Sequence, residues 1–402
     1  MKKTIGIVTL ICLMALALNT FAQPWAWIQK NNFTGVARSS PAWFTINGFG
    51  YMGMGYDGAG LNDFWKYNPT NDSWTQMANF TGTARWSCPS FSIGSNGYVF
   101  GGNASGYFSD FYKYNSVTNA WSLLTSTAPL PGRQDSYGCT LNGKGYVTTG
   151  YSSIDRKDTW QYDTLANAWT QMADYGGTER DAALGFVINN KMYVGTGQTG
   201  AVLHTDFYKY DPDSNTWAAI ANFPGAARNS AVGFAIDSIG FAGAGFDINS
   251  GVFYKDFYEY HPATNTWTTS TATFPDINGI AYPFIFPFNH TVFIGTGRDS
   301  STTYINKVFQ LITTEGVTEV SRNNDDILIF PNPVTDLLTI SFTADKIKSC
   351  TIILYDMLGE KIIVPIKSER QTTMDVSKLL QGIYFLEVNM AGQKIVKKVV
   401  KM

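Results

Sequence analysis

Charged side chains are scarce in this sequence. Lys, Arg, Asp and Glu supply 15% of its 402 residues, and the formal net charge is only −2. A nucleic-acid-binding surface needs concentrated positive charge, so we predict no nucleic-acid partner. Glycine, with 38 residues, and aromatic residues, at 15%, are abundant instead. This composition is typical of a folded, β-rich protein with many tight turns and excludes a disordered one.

Long apolar runs are missing after residue 22. The run at 5–18 follows two lysines and precedes the small residues Thr20 and Ala22. This is the pattern of a secretory signal peptide at 1–22 that is cleaved before Gln23. The run is too short for an ordinary membrane span, so we predict export to the periplasm and no transmembrane segment in the mature chain.

Cysteine is also rare. Cleavage of the signal peptide removes Cys12 and leaves Cys88, Cys139 and Cys350. An odd number excludes a fully paired disulfide framework and leaves at least one free thiol. Cys88 and Cys139 fall three positions out of register on neighbouring strands, so we interpret them as small buried residues and not as a disulfide or a nucleophile.

A repeated stretch dominates the rest of the chain. "DFYKYDPDSNTW" at 206–217 has close copies at 63–74, 110–121, 158–169 and 256–267. The tryptophans of the repeat recur at intervals of 47, 47, 48, 48 and 50 residues, starting from Trp27, and a glycine pair or its near equivalent follows each one. Self-similarity at this period indicates a solenoid or a propeller.

Each repeat unit has the pattern of four antiparallel strands. Ring-rich segments bounded by Asn, Asp, Gly and Ser predict strands at 183–189, 191–197, 205–211 and 216–220 in the fourth unit. Such sheets bury both faces by packing around an axis, with Trp217 wedged between neighbours. The first unit lacks the "DFYKY" half and the last lacks its tryptophan strand. We therefore predict that residues 25–30 supply the outer strand of the last sheet and so close the ring.

The tryptophan, the glycine pair and a tyrosine seven residues before the next tryptophan together resemble kelch repeats over residues 24–312. The resemblance implies an all-β fold whose main domain, at 23–312, is a six-bladed kelch-type β-propeller. The polar segment 313–325 is predicted to be a linker.

The last part of the chain, 326–402, has a different pattern. Short strands are predicted at Ile327–Phe330, Leu337–Phe342, Thr351–Tyr355, Ile383–Val388 and Lys394–Val400, which fits a small β-sandwich. The stretches "FPNPVTDLLTISF", "LYDMLGEKI", "DVSKLLQGIYFLEV" and the terminal "KIVKKVVKM" resemble the C-terminal sorting domain of the type IX secretion system of Bacteroidota. The resemblance implies the type IX machinery as a partner and a secreted or outer-cell-surface location.

Two rings of residues are candidate ligand contacts. The loops that enter the inner strands and those that join second to third strands share one face, and they vary in length. In kelch interaction domains two places on this face supply ligand contacts, so the resemblance points to the axial mouth, where these loops meet. The arginines that open the inner strands are Arg38, Arg85, Arg133, Arg180 and Arg228. The residues that follow the glycine pairs are Tyr56, Asn103, Tyr151, Gln198, Phe246 and Arg298.

These rings allow two interpretations. Converging guanidinium groups suit a carboxylate or sulfate, and the rings suit sugars or peptides. Alternatively, the arginines are part of the repeat and pair with acids such as Asp135, Glu179 or Asp181. The sixth unit, with "DINGIAYP" at 276–283, has no arginine, which either opens a gap in the ring or has no functional meaning.

We predict a binding propeller without catalysis, cofactor or metal, whose ligand is a glycan or a surface protein. The three histidines do not converge: His204 lies on the variable face, while His261 and His290 lie on opposite turns, which excludes a copper oxidase of the galactose oxidase type. One alternative is an enzyme acting on an anionic sugar, like the sialic acid mutarotases, which are kelch propellers. It would need an acid or base, and the nearest candidates are Asp57, Asp155, Asp247 and Asp299. A structural role in the cell envelope is a third hypothesis.

Overall fold

The structure is a computed structural model, and it describes residues 25–124, 130–288, 290–301, 303–313, 327–342, 350–356, 361–368, 371–390 and 393–401. The predicted signal peptide and residues 314–325 of the predicted linker lie outside these ranges. The chain divides into two compact units between Thr314 and Glu315. All regular elements in the described residues are β-strands.

Five four-stranded antiparallel sheets follow one another along the first unit, each in plain sequence order. The first sheet has β2 Ala42–Ile46, β3 Phe49–Gly53, β4 Phe64–Asn68 and β5 Ser73–Met77. The second has β6 Ser90–Ile93, β7 Asn96–Phe100, β8 Phe111–Asn115 and β9 Ala120–Leu123. The third has β10 Tyr137–Leu141, β11 Lys144–Thr148, β12 Thr159–Asp163 and β13 Ala168–Met172. The fourth has β14 Leu184–Ile188, β15 Lys191–Gly195, β18 Phe207–Asp211 and β19 Thr216–Ile220, and the fifth has β20 Val232–Ile236, β21 Ile239–Gly243, β22 Phe257–His261 and β23 Thr266–Thr269.

A sixth sheet joins the two ends of the first unit. It contains β24 Phe284–Phe288, β25 Thr291–Gly295, β26 Val308–Thr313 and, at its outer edge, β1 Trp25–Gln29. All five residues of β1 pair with β26, from Trp25 opposite Thr313 to Gln29 opposite Phe309. The first strand thus takes the position expected from the two incomplete repeat units. Thr313 belongs to β26, so the strand runs one residue into the segment predicted to be a linker.

The first unit closes on itself. The innermost strand of each sheet contacts that of the next sheet, and β24 of the sixth contacts β2 of the first. The prediction of an all-β propeller is confirmed. Within the fourth sheet the strands match the predicted segments, but a short hairpin in its variable loop, β16 Gln198–Thr199 with β17 Val202–Leu203, was not predicted.

The polar atoms of the repeated motif hold neighbouring sheets together. The hydroxyl of Tyr210 donates to Asn215 Oδ1 at 2.8 Å, and the N–H of Ala173 in the preceding unit donates to the same oxygen, also at 2.8 Å. Trp217 Nε1 then donates to the Ala173 carbonyl at 3.1 Å. Trp217 packs on a core drawn from the third and fourth sheets, which includes Tyr146. The copies at 110–121 and 256–267 make the same three bonds, so in these copies the motif joins one sheet to the one before it.

Cys88 and Cys139 are free thiols in the buried interior of the ring, as predicted. Cys139 Sγ lies 3.5 Å from Met192 Sδ, so it fills space between the third and fourth sheets. Burial raises the pKa of the Cys88 thiol to about 12. A thiol in this state is a poor nucleophile at neutral pH.

The second unit is a two-sheet sandwich. One sheet has the order β27–β28–β31, from Ile327–Phe330, Leu337–Phe342 and Gln371–Asp375. The other has the order β30–β29–β32–β33, from Lys361–Ser368, Cys350–Tyr355, Gly382–Met390 and Gln393–Lys401. Leu338 and Ile340 of the first sheet share one buried core with Ile352, Leu386 and Val388 of the second.

Candidate functional site

Six residues form a closed inner ring around the axis of the first unit. Each lies two positions after the arginine site of its sheet and has a positive φ between 48° and 56°. The N–H of each donates to the carbonyl of its counterpart in a neighbouring sheet, at 2.9–3.3 Å, until Ser40 N closes the circle on Tyr282 O. The inner ring consists of Ser40, Ser87, Asp135, Ala182, Ser230 and Tyr282. An axial cavity of about 150 Å³ is lined by all six and by residues just below them.

The six residues that follow the glycine pairs form an outer ring. Each pairs through its backbone with the residue after the arginine site of the same sheet, as Tyr56 does with Ser39. The second glycine of the pair is required here, since a Cβ on Gly55 would lie 2.8 Å from the Ser39 carbonyl oxygen and its φ is +98°. The fold therefore gathers all six predicted outer-ring residues, Tyr56, Asn103, Tyr151, Gln198, Phe246 and Arg298, on one face. Arg298 is exposed and the other five are partly exposed.

The five predicted arginines do not reach the axial mouth. Arg38, Arg85, Arg133, Arg180 and Arg228 are at most 1% exposed. Arg180 is representative: it donates to the carbonyls of Thr178 and Thr196 at 3.0 and 2.9 Å, and to both carboxylate oxygens of Asp206 at 2.7 and 2.9 Å. Each of the other four makes the same four kinds of contact.

The prediction that these arginines pair with acids such as Asp135, Glu179 or Asp181 is wrong. The partner is the aspartate that opens the "DFYKY" stretch of the same sheet, and these partners are Asp63, Asp110, Asp158, Asp206 and Asp256. Their side chains are 19–36% exposed, so the aspartates face solvent more than the arginines do. The guanidinium groups serve as internal braces, and Asp135, Glu179 and Asp181 are left for other roles.

The sixth sheet has no gap at the missing arginine. Ile280 occupies the arginine position with 0% exposure, and Lys307 stands where the other sheets have aspartate. Lys307 Nζ instead donates to Asp276 Oδ2 at 2.7 Å. The sixth sheet thus replaces the buried guanidinium by apolar packing, and the Ile280 side chain fills the position.

The four aspartates considered for acid–base chemistry accept hydrogen bonds within the loops of the mouth face, three of them from their own loop and Asp155 from the loop of the next sheet. Asp299, which is 3% exposed, accepts from the backbone and hydroxyl of Ser301. Asp247 accepts from the backbone and the hydroxyl of Ser250, and these bonds lower its pKa. Asp57 accepts from the Ala59 N–H, and Asp155 accepts from the Gly200 N–H at 3.0 Å. No group of three or more His, Cys, Asp or Glu side chains within the described ranges is placed to hold a metal ion.

Aromatic side chains cluster at three places around the axial mouth. Tyr56 packs on Trp86 with ring centroids 4.7 Å apart and on Tyr304 at 5.8 Å. Tyr107 packs on Tyr151 at 5.7 Å. The third cluster is Phe246 with Phe253 and Tyr282, at 5.3 and 5.7 Å. Ring edges and faces of this kind bind sugar faces and peptide side chains.

Two acids meet on one side of the mouth. Asp135 belongs to the inner ring, and Asp181 directly precedes the inner-ring residue Ala182, whose N–H donates to the Asp135 carbonyl at 2.9 Å. Burial raises the pKa of Asp135 to about 6. Burial, then repulsion from Asp135 and Asp155, raises the pKa of Asp181 to about 8.

Sequence reasoning missed these acids and Trp86, Tyr107 and Tyr282 as mouth residues. The first two positions after each arginine site could have indicated the mouth residues, because they differ from unit to unit while the arginine repeats. Residues 86, 135, 181 and 282 all occupy those positions. Sequence reasoning selected the arginines as ligand contacts instead, because a guanidinium group has obvious ligand chemistry.

The acid pair predicts a specific dependence of stability on pH. Since both folded-state pKa values are raised, the native state holds more protons than the unfolded state between about pH 4 and pH 8, and the pair reduces stability as pH rises through that window. Relative to wild type, Asp135→Asn/Asp181→Asn should have an unfolding free energy that is more favourable by several kcal/mol at pH 8.5 than at pH 4.5, since each unit of raised pKa corresponds to about 1.4 kcal/mol. Urea unfolding at the two pH values measures the difference, and an equal effect at both would contradict the prediction.

Comparisons with known proteins agree with this geometry. The family described as KLHDC2/KLHL20/DRC7 Kelch-repeats domain matches residues 87–297, which is more than half of the chain. The chain belongs to the kelch-repeat family. A Kelch motif also matches residues 50–81 of this kelch protein. The solved structure titled "Structure of YjhT" covers 69% of this chain and 95% of its own, with a TM-score of 0.61 and 21% identity, which shows likeness of fold alone.

The second unit of the kelch protein is an export signal. The Secretion system C-terminal sorting domain matches residues 328–402, which agrees with the resemblance noted in the sequence. The protein is therefore a propeller handled by the type IX secretion system, a system of Bacteroidota, and exported to the cell surface or secreted. No helix of sufficient length and apolarity to cross a membrane occurs among the described residues. A comparison with curated proteins finds no match.

Proposed function

We propose that this protein is a non-catalytic binding propeller that holds a glycan or protein ligand at its axial mouth, outside the cell. The signal peptide proposed at 1–22 would take the chain to the periplasm, and the sorting domain would take it through the outer membrane. One observation carries the proposal: the repeated Arg and Asp side chains are used in bracing the sheets, while aromatic side chains at positions that vary between units cluster at the mouth.

The character of the mouth supports binding. Three aromatic clusters, at ring separations of 4.7–5.8 Å, surround the inner ring. Rigid rings bury contact area with little loss of side-chain entropy, which is why aromatic residues are enriched at binding surfaces. Tyr107 is 36% exposed and packs edge-on against Tyr151, so this cluster presents ring surface to a ligand.

The catalytic alternative has less support. It needs arginines free to hold an anionic sugar, with an acid or base beside them. The arginines in question are at most 1% exposed, and Asp57, Asp247 and Asp299 accept hydrogen bonds from their own loops. A purely structural role would leave the variation of the mouth residues without a cause.

The test is ligand binding by aromatic variants. Ligands are first identified on glycan and peptide arrays. We expect Tyr107→Ala/Tyr151→Ala to weaken their binding at least tenfold, which is about 1.4 kcal/mol of binding free energy, because the ring surface is lost. The unfolding free energy should change by less than about 1 kcal/mol, since neither ring belongs to a buried core. Binding isotherms and urea unfolding measure the two quantities.

The matched control removes an apolar side chain from the opposite face. Leu165 is 97% exposed in the turn between β12 and β13. Leu165→Ala should leave every ligand affinity unchanged. If the tyrosine variant binds as tightly as wild type, the axial mouth is not the binding site.

A further inference from the structure

We propose that the axial mouth takes the charged end of a lysine or arginine side chain from a protein partner, and that Asp135 and Asp181 hold it. This inference rests on the proposed function, in that it uses the same mouth. It specifies the partner's chemistry, and it reverses the anionic ligand that the arginines suggested.

The first step is the charge at the mouth. Neither Asp135 nor Asp181 has an ion-pair partner within 4.0 Å in the part of the chain that the structure describes. The nearest guanidinium groups along the chain, Arg133 and Arg180, are engaged by Asp158 and Asp206. When both acids are ionised, they therefore lack the countercharge that a partly buried carboxylate pair needs.

The second step is a set of buried oxygens without partners. Asp181 is 6% exposed, and its Oδ1 has no hydrogen-bond partner. Asn229 Oδ1, in a residue that is 1% exposed, also has none. Asn229 donates to Gln198 Oε1, and the Gln198 side chain hydrogen-bonds Asp181, so these groups are neighbours. Ser230 lines the axial cavity.

These oxygens require donors. A carboxylate and an amide oxygen only accept, and a buried acceptor without a donor is unfavourable. An ammonium group brings three N–H donors and a guanidinium brings five, and neither accepts. A cationic donor therefore satisfies the unpartnered oxygens and neutralises the acid pair with one group.

The third step is the ring surface beside the acids. Tyr107 and Tyr282 lie close enough to Asp135 and Asp181 for the acids to raise both pKa values, after the larger effect of burial. Tyr151 packs on Tyr107. Carboxylates together with aromatic faces are the combination that recognises ammonium and guanidinium groups.

The dimensions favour a side chain over an amino sugar. The axial cavity of about 150 Å³ is lined by the inner ring, including Asp135 and Ser230. A lysine or arginine carries its charge at the tip of a thin, flexible stem. A sugar amine is attached directly to a wide pyranose ring, so it reaches less far into a small cavity than a side chain does.

Other charged groups facing the acids set the pH response. Asp155 repels Asp181, and Glu179 repels Asp155, so both add negative charge on this side. Arg298, whose charge acts on Tyr282 and Tyr304, is the cation on the sixth sheet. Because the acids lose their charge as pH falls, affinity for a cation should decrease from pH 8 to pH 5.

The experiment uses the purified chain and four short peptides that differ at one central residue: Lys, Arg, norleucine or Glu. We expect the Lys and Arg peptides to bind at least tenfold more tightly than the other two at pH 8, and to lose at least tenfold at pH 5. Asp135→Asn/Asp181→Asn should abolish the preference. The control Asp213→Asn/Asp237→Asn removes two acids from turns on the opposite face and should retain it.

Four results would overturn the inference: equal affinity for the Lys and norleucine peptides, no binding of either basic peptide, an unchanged preference in the Asp135→Asn/Asp181→Asn variant, or Asp-dependent binding of glucosamine oligomers in place of peptides. If a neutral or acidic ligand binds and Tyr107→Ala/Tyr151→Ala removes that binding, the inference fails while the proposed binding function stands.

Discussion

A chain that starts at Gly35 is expected to lose at least about 4 kcal/mol of unfolding free energy relative to one that starts at Gln23. The deleted segment contains β1, all five residues of which pair with β26. Trp25 is 6% exposed and packs on Phe241 at 4.9 Å, and Trp27 packs on Phe274 at 5.4 Å. Loss of one buried tryptophan alone costs about 3–5 kcal/mol. Urea unfolding of the two chains measures the difference.

Rescue in trans provides the control. Without β1, the strand β26 becomes an exposed edge, which promotes aggregation. A synthetic peptide covering residues 24–34 should raise the unfolding midpoint of the shortened chain as its concentration increases. The same peptide with Trp25→Ala and Trp27→Ala should not. A shortened chain that unfolds at the same urea concentration as the longer one would show that β1 does not close the ring.

The second large effect is an asymmetry within the buried ion pairs. We expect Asp206→Asn to cost about 3–5 kcal/mol, because it leaves the guanidinium of Arg180, at 0% exposure, without its countercharge. Arg180→Met should cost less, since Asp206 is 30% exposed and solvent can hydrate it. The sixth sheet shows that an apolar residue, Ile280, is compatible with the arginine position.

A surface pair supplies the control for this asymmetry. Lys191 and Asp211 are 2.7 Å apart and each is 30% exposed. Asp211→Asn should cost less than about 1 kcal/mol, as exposed ion pairs contribute little. Urea unfolding of the three variants measures the order, and a larger cost for Arg180→Met than for Asp206→Asn would contradict the account of the arginines as braces.

The repeat period made the propeller predictable. A tryptophan every 47–50 residues implies one sheet per unit, and the two incomplete units at the chain ends imply that β1 joins the last sheet. Trp217 could also be placed, because a large ring that recurs in a β-repeat must be covered by the neighbouring sheet. These inferences need only periodicity and burial.

The role of the arginines could not be predicted in the same way. Arg180 and Asp206 are 26 residues apart in sequence. The pair becomes visible only when the loop geometry brings Asp206, directly before β18, beside Arg180, four residues before β14. The acids near the arginines in sequence, such as Asp181, point elsewhere. Contacts that depend on loop conformation are the ones that sequence patterns leave open.

The sorting domain shows a similar limit. Its predicted strands were found, but β30 and β31 were missed. The β30 segment "KIIVPIKS" contains Pro365, which normally argues against a strand, and the β29–β30 pairing shifts register. The β31 segment "QTTMD" is polar except for Met374, so it lacks an alternating apolar pattern over its length.

The most direct test of the division between braces and mouth measures stability and affinity on the same two variants. Asp206→Asn should lower the unfolding free energy by several kcal/mol while its folded form keeps the wild-type affinity for the ligand. Tyr107→Ala/Tyr151→Ala should keep the stability and lose at least tenfold in affinity. The reverse assignment, with affinity lost at Asp206 and stability lost at the tyrosines, would contradict the account.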